Sequence, residues 1–127
     1  GMSLPHEIEK LIAIAPPEVS IVTKIALAHA EFFTDGLNGI AAAKAEILSH
    51  PATRLGIINH QVAQFSASKI GSCLKKTYGF EEADCDWVLY RDKRDFYLLE
   101  NGKKTPLFSL PFSASHLCEN FIGAAAV

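Results

Sequence analysis

RLGIINHQVAQFSASKIGSCLKKTY, running from Arg54 to Tyr78, is the stretch on which the reading of this chain turns. Ile58, Val62, Phe65, Ile70, Cys73 and Thr77 recur at steps of three to five, which is closer to a helical period than to strand alternation. The spacing predicts a long, half-buried helix. Beside this stripe lie Ala63, Ala67 and Gly71 at steps of four, a row of small side chains that lets another backbone approach closely. Packed on two adjacent sides, such a helix would be the spine of the fold. Gly79 would end it, with Lys75 and Lys76 in a last turn that favours cations. One stretch stays open: Ser49 to Gly56 reads as helix start or loop. A brief apolar run has no diagnostic period, so Leu55 to Ile58 is also consistent with a short buried strand.

Upstream, Ser3 to Ala15 reads as a first helix, with Ile8, Leu11, Ile12 and Ala15 on one face and Glu7 favourable at its positive end. Pro16 and Pro17 stop it. From Pro17 to Phe33, Ile21, Ile25, Ala28 and Phe32 follow a helical period, and Gly36 in the cluster Thr34 to Gly39 would end that second helix. Ile40 to Leu48 is alanine-rich and helical by propensity.

After Gly79 the composition changes. Trp87 to Tyr90, Phe96 to Leu99 and Leu107 to Leu110 are short aromatic and aliphatic runs separated by turn clusters. Asn101 and Gly102 tolerate positive φ and signal a tight hairpin. Pro106 and Pro111 place the last run at an edge, because proline cannot donate to a ladder. Ser113 or Ser115 would cap a short final helix through Phe121. The expected fold class is therefore α+β: three to four N-terminal helices packed on a C-terminal three-stranded antiparallel meander, with a short final helix.

Bulk properties narrow the function classes. At 127 residues the chain has the length of one domain, and a hydrophobic share of 49% with 20% charged residues is globular composition. A formal charge of −2 gives no global attraction to nucleic acid or anionic membrane. The three cysteines, Cys73, Cys85 and Cys118, lack redox or zinc spacing, which fits a reduced, intracellular, cytoplasmic protein. Glu7 and Glu9 precede only a short apolar run, unlike a secretory signal, and no window has the length of a membrane span. Gly1 reads as a remnant of tag removal.

Each candidate site has a plainer competitor. His116 and Cys118, two apart near the last helix, would make a thiolate–imidazole pair or a metal site, yet free cysteines are usually buried small hydrophobes. His29 and His60, facing each other on helices, would ligate a metal or haem iron, but neither has a histidine partner at helical spacing. Glu81, Glu82, Asp84 and Asp86 form an acidic cluster without calcium-loop spacing, the usual signature of a solvated loop.

Basic residues Lys75, Lys76, Arg91, Lys93 and Arg94, with three helices before a hairpin, fit a winged-helix nucleic-acid reader in which His60, Gln61, Gln64, Ser68 and Lys69 face the groove. Asp92 and Asp95 dilute that surface. Finally, alternation leaves one large apolar group per strand for a second surface, so Trp87, Tyr90 and Tyr97, with His60 and Gln64, mark a place for a small apolar ligand or a partner subunit. Taken together, the sequence reads as a small non-enzymatic binding or protein-interaction domain. It is expected to be homodimeric through the outer face or edge of the sheet, without cofactor, metal or membrane partner. A nucleic-acid-binding regulator, or a small enzyme or metal protein using Cys118 and His116, stands as the alternative.

Overall fold

Val19–Val22 and Leu55–Asn59 run side by side as parallel strands, and that pairing sets the architecture. The computed structural model describes residues 2–27, 30–81, 84–107 and 109–127. Among them the chain order is α1 (Glu7–Ile14), β1 (Val19–Val22), α2 (Gly36–Ala45), β2 (Leu55–Asn59), α3 (His60–Ala63), β3 (Leu74–Phe80), β4 (Trp87–Asp92), β5 (Asp95–Glu100), β6 (Lys103–Leu107) and α4 (Ser115–Ala125). Short 3-10 turns occur at Ala30–Phe32, Glu46–Leu48 and Ser66–Lys69. The strands form one six-stranded sheet in the order β1-β2-β3-β4-β5-β6. The first four are mutually parallel; β5 and β6 are antiparallel to their neighbours.

The α+β arrangement expected from the sequence is therefore corrected. The antiparallel strands are not a separate meander under N-terminal helices but one half of a mixed sheet whose other half comes from residues read as helical. The predicted spine divides into β2, α3, a 3-10 turn and β3. The predicted second helix gives way to β1 at Val19–Val22, while His29 and Ala28 lie outside the described residues, as do Glu82 and Phe108. The physical reason is burial on two sides. A parallel strand covered on both faces needs no polar alternation, so Val-Ser-Ile-Val and Leu-Gly-Ile-Ile carry no period of two.

Each face of the sheet has its own core. On one side Ile57, Tyr78, Phe80, Leu89 and Phe96 pack with Cys118 and Ile122 of α4. On the other, Val22, Ile58 and Cys73 pack with Ala45 and Leu48 at the end of α2 and with Val62 of α3. Gly56 lets the second layer come in: a Cβ there would meet Leu48 Cδ2 at 2.7 Å. The small residues Ala63 and Ala67 do flank this core. Gly71 is held at φ +77°, and a Cβ there would overlap the Leu48 carbonyl. At Gly71 that smallness does admit another backbone, though not along one continuous helix. α1 is fastened to this layer by Glu46, whose carboxylate accepts the amides of His6 at 2.9 Å and Glu9 at 3.0 Å.

Between β3 and β4 the pairing is still parallel but short, and it turns antiparallel only at β5. Only Tyr78↔Trp87, Gly79↔Val88 and Phe80↔Leu89 are paired, so β4 begins beside the end of β3. Trp87 lies opposite Tyr78, two residues before the end of β3, so β4 starts roughly 7 Å behind that end. Asp86 fixes that start: it accepts the Thr77 amide at 2.8 Å, the Thr77 hydroxyl at 3.1 Å and Lys76 Nζ at 2.6 Å. Burial pushes its carboxyl up, but the hydrogen bonds from Lys76 and Thr77 and the Lys76 charge outweigh this and hold it below the ordinary carboxylate range.

The two edges of the sheet differ. β6 carries Lys103, Lys104 and Pro106, all exposed, whereas β1 is Val-Ser-Ile-Val without charge or proline. Among the described residues no helix is long and apolar enough to cross a membrane.

Gly71→Ala is expected to lower unfolding free energy by more than about 2 kcal/mol, because it combines a disfavoured φ with a backbone overlap; chemical denaturation checks this. Asp86→Asn should cost about 1–2 kcal/mol at pH 7. Because the folded carboxyl is depressed, its contribution is present above the unfolded pKa and is lost as pH falls through the folded one. The gap between wild type and Asp86→Asn in urea titrations should accordingly close as the solution is acidified below the ordinary carboxylate range.

Candidate functional site

Parallel strands present their carboxyl ends along one edge, and in open sheets of this kind ligands bind outside those ends. Here the edge carries Thr23 and Lys24 after β1, Asn59 and His60 at the β2–α3 junction, Glu81 after β3, and Arg91 near the end of β4. Beside the β1 end lies a cavity of about 300 Å³, bounded by Ile21 to Lys24 on one side and by Ile8, Lys44 and Ile47 on the other. Lys44, half-buried in the last turn of α2, donates from Nζ to the Lys24 carbonyl at 2.6 Å. It thereby ties helix to strand end. An ammonium has three donors, so the same group retains capacity for an anionic ligand in that cavity.

Asn59 is built into the neighbouring strand end. Only 2% exposed, it caps α3 by accepting the Gln61 amide at 2.9 Å. Its amide also hydrogen-bonds the Tyr78 side chain of the adjacent strand; burial pushes the Tyr78 hydroxyl up, and the Asn59 bond opposes that shift. The loop geometry after β2 is thus fixed from within the sheet. At β4, the Arg91 guanidinium lies 5.3 Å from the Phe80 ring centroid and donates to the Ser113 carbonyl at 3.0 Å. What the edge offers chemically is a row of fixed polar groups with lysine and arginine among them, suited to an anionic substrate.

The whole sequence, residues 1–127, matches the family described as Mur ligase middle domain. The chain belongs to that family. It is 30% identical over 139 residues to the UDP-N-acetylmuramoyl-tripeptide–D-alanyl-D-alanine ligase of Rickettsia prowazekii (strain Madrid E), with 100% of this chain and 30% of the relative covered. Among solved structures, MurF from Acinetobacter baumannii superposes with a TM-score of 0.74 at 22% identity over 99% of this chain and 28% of that one. MurF ligase from Thermotoga maritima in complex with ADP gives a TM-score of 0.68 at 19% identity, covering 98% of this chain and 30% of its own. E. coli FolC in complex with DHPP and ADP gives 0.61 at 17%, covering 89% and 27%. At these identities the solved structures establish the fold. The chain spans less than a third of the length of each of these proteins.

Membership in the Mur ligase middle domain family overturns the reading of a non-enzymatic interaction domain, and with it the nucleic-acid regulator offered as an alternative. This is an enzyme family. The structure places the residues singled out from the sequence as follows. Tyr90 and Tyr97 are a cross-strand pair, with Lys104 Nζ 3.9 Å from the Tyr97 ring centroid. Trp87 alternates to the other face and donates from its indole to Glu100 at 2.7 Å. His60 opens α3 and Gln64 closes it.

Lys75 and Lys76 lie within β3 and not at a helix end: Lys75 donates to the carbonyls of Gly71 and Cys73, and Lys76 pairs with Asp86. They do not join the hairpin cluster of Arg91, Lys93 and Arg94, which the structure does gather. His116 is exposed on α4 while Cys118, two residues on, is fully buried, with its thiol pushed up by desolvation. Among the described residues no group of three His, Cys, Asp or Glu side chains could hold a metal ion.

Lys24, Lys44 and Asn59 were not singled out by sequence reasoning. Asn59 had a usable signal, since asparagine directly before a helix is a favoured N-cap. Lys44 had none: one lysine in an alanine-rich helix is ordinarily a solvated charge.

Proposed function

We propose that this chain supplies part of the substrate-binding edge of a Mur-type ligase that joins a D-alanyl-D-alanine dipeptide to a UDP-N-acetylmuramoyl-tripeptide at the expense of ATP. The observation that carries the reading is the match of the family over all of residues 1–127, joined to 30% identity with the Rickettsia prowazekii enzyme of that name. ADP in the related MurF and FolC structures supports the choice of nucleotide. Joining a carboxylate to an amine in water is uphill and needs an energy source; spending ATP meets that need.

In this chain Lys44 would place positive charge beside the β1 end, Lys24 would be held there through its carbonyl, and Asn59 would hold the β2–α3 junction rigid. Preorganised charge at such a point acts where substrate charge develops, without reorganisation at the moment of reaction. Residues 1–127 contain no G-x-x-x-x-G-K-S/T run, so the proposal rests on the strand-end side chains and not on a phosphate-binding loop. Substrates built on nucleotides place the reaction in the cytoplasm.

The test is phosphate release from ATP by the ligase polypeptide that carries this domain. Release is expected to require both UDP-N-acetylmuramoyl-tripeptide and D-alanyl-D-alanine; release independent of the dipeptide, or none, overturns the proposal. Lys44→Met should lower turnover by about a hundredfold, the scale of losing one preorganised electrostatic group. Lys103→Gln, on the far edge of the sheet, should leave it unchanged.

A further inference from the structure

Strand alternation sorts the charges of the β4–β5 hairpin. Arg91 pairs with Phe96, which belongs to the core under α4, whereas Asp92 pairs with Asp95 on the opposite side of the sheet. Both aspartates are thus turned away from the side that Arg91 occupies. On that side Arg91, with Lys93 and Arg94 of the turn, lines a cleft of about 320 Å³ whose other wall is residues Ser109 to Ser113.

Arg91 is preorganised there by the Phe80 ring and the Ser113 carbonyl. Glu81 forms an ion pair with it at 3.7 Å from Nε, without taking up a hydrogen-bond donor. A guanidinium has five donors, so most of Arg91's remain for a ligand. Among the described residues Lys93 and Arg94 form no ion pair. The opposite wall is chemically different, because Leu110, Pro111 and Phe112 give it an apolar surface.

We propose that this cleft binds an organic phosphate, with the phosphate on Arg91, Lys93 and Arg94 and the apolar body of the molecule against Leu110, Pro111 and Phe112. Three cations lining one cleft, against the single carboxylate of Glu81, suit a dianion better than a monoanion, and arginine grips phosphate oxygens in bidentate fashion. The proposal does not depend on the ligase reading; either can fail while the other stands.

Phenyl phosphate is the probe, titrated into the isotope-labelled 127-residue chain at constant ionic strength and followed by amide NMR. Saturable shifts confined to residues 91–96 and 109–113 are expected. The double substitution Lys93→Gln, Arg94→Gln should weaken binding at least about tenfold, because each charge-assisted contact carries more than a tenfold factor. Lys103→Gln with Lys104→Gln removes the same charge from β6 and should leave the affinity unchanged. Absence of shifts, shifts scattered over all basic surfaces, or equal weakening by the two double variants would overturn the proposal.

Discussion

Ile57 and Ile58 are neighbours in sequence and belong to two different cores. The first is fully buried under α4, the second 2% exposed against the end of α2 and α3. Burying one such side chain contributes roughly 1.5–3 kcal/mol, so this dipeptide stabilises both layers at once. Everything else in the parallel half is arranged so that β2 can be covered twice. Gly56 gives way to Leu48, Gly71 gives way to the backbone behind it, and Ser20 donates its hydroxyl to the Ile47 carbonyl at 3.1 Å. The strand ends that bear Lys24 and Asn59 inherit their rigidity from this double packing.

The placement of β4 parallel to β3 without a helical crossover has a polar cause. Asp86 gathers the amide and hydroxyl of Thr77 and the ammonium of Lys76, all from β3, onto the residue just before β4. The carboxylate does locally what a crossover helix does between β1 and β2. From there on the chain needs only tight turns. Asn101 at φ 49° and Gly102 at φ 77° make one of them, and Lys93 at φ 56° begins the other.

Those turns mark the limit of what can be read locally. Asn101–Gly102 announces itself because its chemistry is contained in two residues. The parallel strands do not, since their identity comes from partners far away: Val19 lies opposite Leu55, and Leu55 opposite Leu74. Without those partners, the apolar residues of 54–78 fit a helical wheel well enough to be misread, although Leu55 to Ile58 was also legible as a short strand. The strand-end groups were hidden for the same reason. Lys44 becomes more than a helix lysine only when α2 is laid against the end of β1, a tertiary fact. Arg91, Lys93 and Arg94 were visible as a cluster, but the sorting of Asp92 and Asp95 to the other side needs the register of the hairpin. Cys118 was legible in its plainer reading, a free cysteine that behaves as a small hydrophobe and is fully buried where α4 meets the sheet.

The unlike margins of the sheet give the molecule a direction. Lys103, Lys104 and Pro106 close β6 to any newcomer, since charges resist being dried and proline offers no amide. Val19–Val22 has neither defence, and half of its main-chain donors and acceptors face outward. The sheet is therefore polarised across its width, guarded at β6 and chemically plain at β1.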